Sequence, residues 1–381
     1  MKTGSPANQW IDIDGTALRG NLELLSGLLR PGTQMAGVVK ANAYGHGLAE
    51  VVAEAGPAVD WFAVHSAAEA RAVRELGCDL PLMVMGLVTE ADVDYLDEAC
   101  HVLVSTEQVL ATLGRLRRRG GSCVPVHLKI DTGTKRQGVT PDRAVALSRA
   151  AERAGLEVAG VATHFANIED TLEHDFARLQ LQRFEDTLEL LEHEGVQPRW
   201  VHAACSAAIL LFPETTFNLV RAGISMYGHW PSRETRLSWR MEHPKGQLDL
   251  RPVLTWSTVV GQIQHVEAGE TVSYGRTWTA LRPSRLAVLP VGYSDGYPRA
   301  LGNRSRVLVG GREAPVVGRI CMNIMLADIT DHPEVSVGDR VVLLGGAGAQ
   351  CITAEELAEL SGTINYELLA RLAPHIPRLI T

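Results

Sequence analysis

Short apolar runs alternate with helix-patterned segments through the first two-thirds of the chain, and this alternation narrows the possible folds more than any other feature. The runs are Met35–Lys40, Trp61–His65, Pro81–Gly86, His101–Val104, Pro125–Ile130, Val158–His164, Trp200–Ala203 and Leu219–Ile224. Between them, Ser66-Ala-Ala-Glu69 and Ser105-Thr-Glu-Gln108 have the form of capping boxes that open helices, and Thr140-Pro141 puts proline at a first helical position. Strands separated by helices lie parallel and are joined by right-handed crossovers. Eight of them close a (β/α)8 barrel. Trp10–Asp14 reads as one more strand, left over from the eight and expected to join another domain.

Near Trp230–Pro252 the periodicity disappears and Pro, Arg, Ser, Glu and Lys dominate, which marks a linker. Beyond it, Leu254–Ile263, Arg285–Val291, Val307–Val309, Ala314–Arg319, Met325–Asp328 and Arg340–Leu344 follow one another closely, several across glycine-containing turns. That is the pattern of an antiparallel β domain. Thr353-Ala-Glu-Glu356 opens one late helix. The expected class is therefore α/β. A strand within 1–14 joins the C-terminal domain, a TIM-like (β/α)8 barrel spans 15–238, and a mainly antiparallel β domain spans 239–381. A length of 381 residues suits two such domains.

Composition narrows the function classes. A net charge of -8, spread along the chain, argues against a nucleic-acid partner. No apolar run approaches membrane-spanning length, and residues 1–9 lack the apolar core of a signal peptide. Six scattered cysteines without a CxxC pair fit a reducing cytoplasm and no metal site.

The chemistry concentrates at strand ends. Val38-Val39-Lys40 ends in a lysine and runs into Ala41-Asn42-Ala43-Tyr44-Gly45-His46-Gly47. At the C-terminal end of a barrel strand, where barrel active sites lie, a partly desolvated lysine has a depressed pKa and is competent to form a Schiff base. His127, Lys129 and Asp131 alternate along one strand, with Thr132-Gly133-Thr134-Lys135-Arg136 after it; His164 ends another; His202 and Ser206 follow a third; Arg221 lies in Val220-Arg221-Ala222-Gly223-Ile224. Each taken alone has a structural explanation as a salt bridge, a cap or a core histidine. Together they put cations and donors at one end of a barrel, which suits an anionic ligand such as a phosphate, with the Gly223 and Ile224 amides as direct donors. The second domain adds Val272-Ser273-Tyr274-Gly275, Gly292-Tyr293-Ser294-Asp295-Gly296-Tyr297, Ile320-Cys321-Met322-Asn323 and Ile364-Asn365-Tyr366-Glu367.

The Lys40 decapeptide resembles the pyridoxal-phosphate (PLP) lysine motif of bacterial alanine racemases. Arg221-Ala-Gly-Ile-Ser-Met-Tyr227-Gly, Val-Ser-Tyr274-Gly, Asn365-Tyr366-Glu, Lys129-Ile-Asp-Thr-Gly and Thr163-His164-Phe165 are similar to that family's segments, in the same order, from Trp10 to Arg371. The resemblance implies a fold-type III PLP-dependent isomerase that racemises alanine, supplies D-alanine for cell-wall synthesis, and works as a cytoplasmic homodimer with shared active sites and a small amino-acid substrate. It implies that Lys40 holds pyridoxal 5'-phosphate as the internal aldimine and acts as one base, with Tyr274 from the partner as the other. Arg221 would face the pyridine nitrogen, and His202 would also bind the cofactor. Tyr44, Ser206, Gly223, Ile224 and Tyr366 would bind phosphate. Arg136 would bond the phenol of Tyr274 and the substrate carboxylate, His164 would support Tyr274, and Lys129 would be carbamylated. Met322, Asn323 and Tyr293 would line the substrate site and its entrance.

Three departures bear on substrate choice. Gly133-Thr134-Lys135-Arg136-Gln137-Gly138 differs from the family's usual run, Asn323 stands where aspartate is common, and Cys205 where asparagine is frequent. A serine or broader-specificity racemase is the nearest alternative. A fold-type III decarboxylase pairs the pyridine nitrogen with a carboxylate where this chain offers Arg221, and a non-enzymatic PLP-binding protein would be a barrel without the second domain.

Overall fold

The computed structural model describes residues 8–347 and 350–381, and the chain divides into two compact units. One holds Thr16–Ala41 and Val51–Arg251; the other holds residues 8–15, Asn42–Glu50 and Pro252–Thr381.

The strand β1 (Gln9–Ile13) belongs to the second unit. The next eight, β2 (Gln34–Val38), β3 (Trp61–Val64), β4 (Leu82–Val84), β5 (Cys100–Val104), β6 (Val126–Lys129), β7 (Val158–Ala162), β8 (Trp200–His202) and β9 (Leu219–Ala222), form the parallel sheet of the first unit. Their order is β8-β7-β6-β5-β4-β3-β2-β9, so β2 pairs with the last strand in sequence as well as with β3. At the remaining seam, the Arg221 amide donates to Ala204 O at 3.0 Å, an ordinary hydrogen-bond distance. The result is the nearly closed eight-stranded barrel that the alternation predicted. Helices cover the outer faces of the strands, so β3 and β4 show no polar alternation: all four residues of β3 and all three of β4 are buried.

Helix boundaries follow side-chain caps. Ser66 and Glu69 form the expected box at the start of Ala67–Glu75, with Ser66 Oγ accepting from Glu69 N at 3.2 Å. The second expected box does not form: Thr106, not Ser105, caps Glu107–Arg118, its Oγ1 accepting from Val109 N at 3.4 Å, and valine at that position cannot bond back. The segment read as a linker contains a helix, Arg233–Glu242, capped by Ser232 Oγ accepting from Thr235 N at 2.9 Å. Its buried face is Thr235, Ser238 and Trp239, of which only Trp239 is apolar, while Leu237 and Met241 are exposed, so few apolar residues mark it in the sequence.

The second unit is a mainly antiparallel sheet. β1 lies antiparallel to Leu254–Val259 and parallel to Arg378–Ile380. Arg340–Ala347, Arg306–Val309, Arg312–Val317, Met325–Asp328, Ser284–Leu289 and Gln262–Val266 continue the sheet outward from Leu254–Val259. Among the described residues no helix is long and apolar enough to cross a membrane.

Candidate active site

Lys40 stands just past β2, where the Val39 amide donates to Ala63 O at 2.9 Å. The chain then does something the glycines did not announce. Ala41, Asn42, Ala43 and Tyr44 all have φ between 52° and 55°, a left-handed turn of four non-glycine residues. Such a conformation costs roughly 1–2 kcal/mol per residue and persists only where surrounding bonds enforce it. Here the Ala41 amide donates to Glu69 Oε1 at 2.7 Å, and Asn42 Oδ1 accepts from Leu48 N at 2.9 Å. Gly45 follows at φ 80°, and a Cβ there would stand 2.0 Å from Leu369 O. Strain of this kind beside an amine is a mark of a functional loop.

The barrel strands bring the other basic side chains to the same end. Lys129 is the last residue of β6, His164 follows β7, His202 ends β8, and Arg221 lies near the end of β9. Burial pushes the Lys40 amine pKa down; Arg136 and Arg221 add to this, and Glu69 opposes it. Lys129 is buried and held well below the usual lysine range by desolvation, then by Arg221 and Arg136, with Asp131 opposing. His164 is pushed down by burial and then by Lys129, Arg221, Arg136 and Lys40. Two lysines, two arginines and a neutral histidine therefore share one positive potential, relieved by two carboxylates.

Of those carboxylates Asp131 is one of the strand-end candidates, and Glu69 is not. Glu69 reads in sequence as a helix cap, and it is one, but the same side chain also holds the Ala41 amide. Asp131 Oδ1 accepts from Gly133 N at 2.9 Å, Thr134 Oγ1 at 3.2 Å and Lys135 N at 3.1 Å, and so shapes the loop that carries the exposed Arg136. The Glu69 bond to Ala41 has no local sequence signature, because it depends on which strand end lies next door, whereas the Asp131 bonds all fall within four residues of it, the local pattern of an aspartate-capped turn.

Arg221 is buried and tightly held. Its Nη2 donates to Thr163 O and Ala203 O, both at 2.9 Å, and Nη1 donates to His202 Nδ1 at 2.5 Å. That leaves Nε–H and the second Nη1–H to present to a ligand. Burial lowers its pKa to about 10, so it is cationic at neutral pH. Ser206 opens the helix Ser206–Leu211, and its Oγ accepts from Gly223 N at 2.9 Å and Ser225 N at 3.3 Å. With both lone pairs engaged, the hydroxyl proton is what Ser206 can offer outward. The Gly223 amide is thus spoken for in this arrangement, while Ile224 opens the following 3-10 turn.

In the second unit, Tyr44 and Tyr366 bring their rings to 6.1 Å. Tyr274 is 72 % exposed, on a corner where Ser273, Gly275 and Arg276 all have positive φ. Ser273 Oγ anchors that corner by donating to Arg319 O at 2.6 Å. Tyr293 N donates to Cys321 O at 3.0 Å and Ser294 N to Met322 O at 3.0 Å, which sets Tyr293 beside Met322 and Asn323. Asn323 Nδ2 donates to Ser294 Oγ at 2.7 Å.

Comparison with known proteins gives this geometry a family. The N-terminal domain model of alanine racemases matches residues 13–231, and the C-terminal domain model matches 253–380. The chain belongs to the alanine racemase family. It is 40% identical over 374 residues to an alanine racemase of Symbiobacterium thermophilum, covering 97% of this chain and 96% of that one. Among solved structures, the alanine racemase of Bacillus anthracis with bound L-Ala-P superposes with a TM-score of 0.91 at 32% identity, covering 100% of this chain and 96% of that chain. The alanine racemase from D-cycloserine-producing Streptomyces lavendulae gives 0.90 at 33% identity, covering 99% and 98%.

Alanine racemases are isomerases that use PLP. The barrel end suits such a group on its own chemistry. A primary amine with a lowered pKa is available for imine formation, and the surrounding cations favour a phosphate ester. Ser225 Oγ is buried without a hydrogen-bond partner one residue beyond Ile224, the kind of orphan donor that a phosphate oxygen satisfies.

Proposed function

We propose that this chain interconverts L- and D-alanine with PLP carried on Lys40, in the cytoplasm, as a homodimer whose active sites are shared between subunits. It would supply D-alanine for cell-wall synthesis. The observation that carries the reading is a strand-end lysine, desolvated and flanked by Arg136 and Arg221, in a chain similar to alanine racemases over nearly its whole length.

PLP supplies an electron sink that delocalises the negative charge left when the substrate Cα loses its proton. The protein's own groups do the rest. Ser206, through its hydroxyl proton, with Ile224, Tyr44 and Tyr366 would receive the phosphate, and Gly223 would join them by exchanging its bond to Ser206 Oγ for one to a phosphate oxygen. Lys40 takes or returns a proton on one face of Cα, a task its lowered pKa suits because the amine is neutral more readily than an exposed lysine. The partner's Tyr274 serves the opposite face; the exposure of Tyr274 on its own chain is what a residue working across a subunit boundary requires. Arg136 binds the substrate carboxylate and bonds the phenol, and His164 supports the phenol from the barrel side. Arg221, held cationic, keeps the pyridine nitrogen from taking a proton, which weakens the sink and disfavours transamination.

Lys129 is proposed to react with carbon dioxide. Carbamylation needs a neutral amine, and burial beside two arginines provides it. The product anion would then pair with Arg136. Met322, Asn323 and Tyr293 line the substrate entrance. Asn323 already spends one donor on Ser294, and alanine, which has no side-chain polar group to match, is the preferred substrate. A racemisation assay over a panel of L-amino acids, with the absorption spectrum of bound PLP recorded alongside, tests the reading. Faster turnover of serine than alanine refutes the preference; a protein that takes up no PLP refutes the mechanism.

A further inference from the structure

A line of imidazoles runs through the barrel core and ends on Arg221. His101 lies near the start of β5, His127 within β6, and His202 at the end of β8. His101 Nδ1 is 2.9 Å from His127 Nε2, His127 Nδ1 is 2.8 Å from His202 Nε2, and His202 Nδ1 is 2.5 Å from Arg221 Nη1. His127 and His202 are fully buried, in a region that barrels ordinarily fill with branched aliphatic side chains. The fit leaves no slack: a Cβ at Gly160 on β7 would stand 2.3 Å from His127 Nδ1. Trp61 closes the outer end, edge-on to His101 at a centroid distance of 4.6 Å.

The proton positions along this line follow from arginine chemistry. A guanidinium only donates, so His202 Nδ1 accepts and its proton sits on Nε2. That Nε2–H donates to His127 Nδ1, which puts the His127 proton on Nε2; this donates to His101 Nδ1 in turn. Protonating His202 or His127 would set two donors face to face. Burial also holds both rings well below the usual histidine range, and burial with Arg199 nearby lowers His101 to about 4. All three rings are neutral, share one tautomer, and turn their acceptor edges toward Arg221.

We propose that His101 and His127 are positioning residues for Arg221: the one-way imidazole line starting near the N-terminal end of the barrel fixes the plane of the guanidinium that faces the cofactor. This rests on the PLP reading above only for what Arg221 faces. The tautomers are a property of the protein alone.

The test uses 15N-histidine-labelled full-length protein, with and without PLP, read by NMR at about pH 6, below the ordinary histidine pKa of about 6.5. His101, His127 and His202 are expected as neutral rings protonated on Nε2. Two variants then separate positioning from packing. His101→Leu removes the outer acceptor, whereas His101→Asn keeps an acceptor oxygen near the place of Nδ1. In the Leu variant the His127 and His202 signals move, the absorption band of bound PLP shifts, and kcat/KM falls roughly fivefold, the worth of one net hydrogen bond. The Asn variant returns all three toward wild type. A proton on His202 Nδ1 in the wild type overturns the proposal. So does a Leu variant that loses thermal stability while its His202 signals and PLP band stay in place. If the Leu variant does not fold, the wild-type tautomers and the Asn variant still decide. Protein that binds no PLP yet shows the three Nε2 tautomers would refute the cofactor reading and leave the line intact.

Discussion

Replacing Lys129 by methionine separates what the protein's stability wants from what its chemistry needs. Lys129 is 6% exposed, and the cations Arg221 and Arg136 outweigh Asp131 in their effect on it. Methionine has nearly the same volume and no charge to desolvate. Exchanging a buried ionisable group for a well-packed apolar one is neutral to stabilising by roughly 1–4 kcal/mol. At about 2–4 °C per kcal/mol for a domain of this size, a Tm increase of roughly 5 °C is expected in bicarbonate-free buffer at neutral pH. The sign with pH follows from linkage. The native amine has the lower pKa, so between that value and the unfolded value of about 10.4 the unfolded chain holds a proton the native chain does not. Wild-type stability therefore rises with pH across this window, and the advantage of Lys129→Met shrinks toward its upper end. Bicarbonate should raise both Tm and racemase activity of the wild type while leaving the variant unmoved. The assay is paired thermal melts and initial rates at several pH values, with and without bicarbonate. A variant that melts below wild type at every pH in bicarbonate-free buffer refutes the argument that Lys129 is a buried, penalised amine.

Three further outcomes are expected. Gly45→Ala should cost more than about 2 kcal/mol, because φ 80° and a Cβ 2.0 Å from Leu369 O demand a backbone shift; denaturant melts measure it. Tyr274→Phe should keep bound PLP and lose roughly 10²–10⁴-fold of racemisation in at least one direction, measured by isotope exchange from each enantiomer. His101 is lowered to about 4 when folded, whereas an unfolded histidine titrates near about 6.5, so stability falls as pH drops through that interval. His101→Asn should flatten that acid limb in urea melts taken from pH 7 to pH 4.

The architecture was largely legible because its signals are local. Eight apolar runs and their capping residues needed only period and propensity to be read, and each became a barrel strand or a helix start within a residue or two. The helix Arg233–Glu242 escaped because two of its three buried residues, Thr235 and Ser238, are polar and only Trp239 is apolar. The left-handed turn from Ala41 to Tyr44 escaped for the opposite reason: alanine and tyrosine have no propensity for it, and it exists because Glu69 and Leu48 bond to it from other elements.

The sequence by itself determined the strand–helix order, the lysine motif and the family. These depend on residue type and spacing along the chain. Only the tertiary structure decided that Glu69 caps a helix and also holds the loop after Lys40, and that three histidines from separate strands line up on Arg221. Desolvation and hydrogen-bond direction depend on what lies across space, and residues from β5, β6, β8 and β9 become neighbours only when the barrel forms.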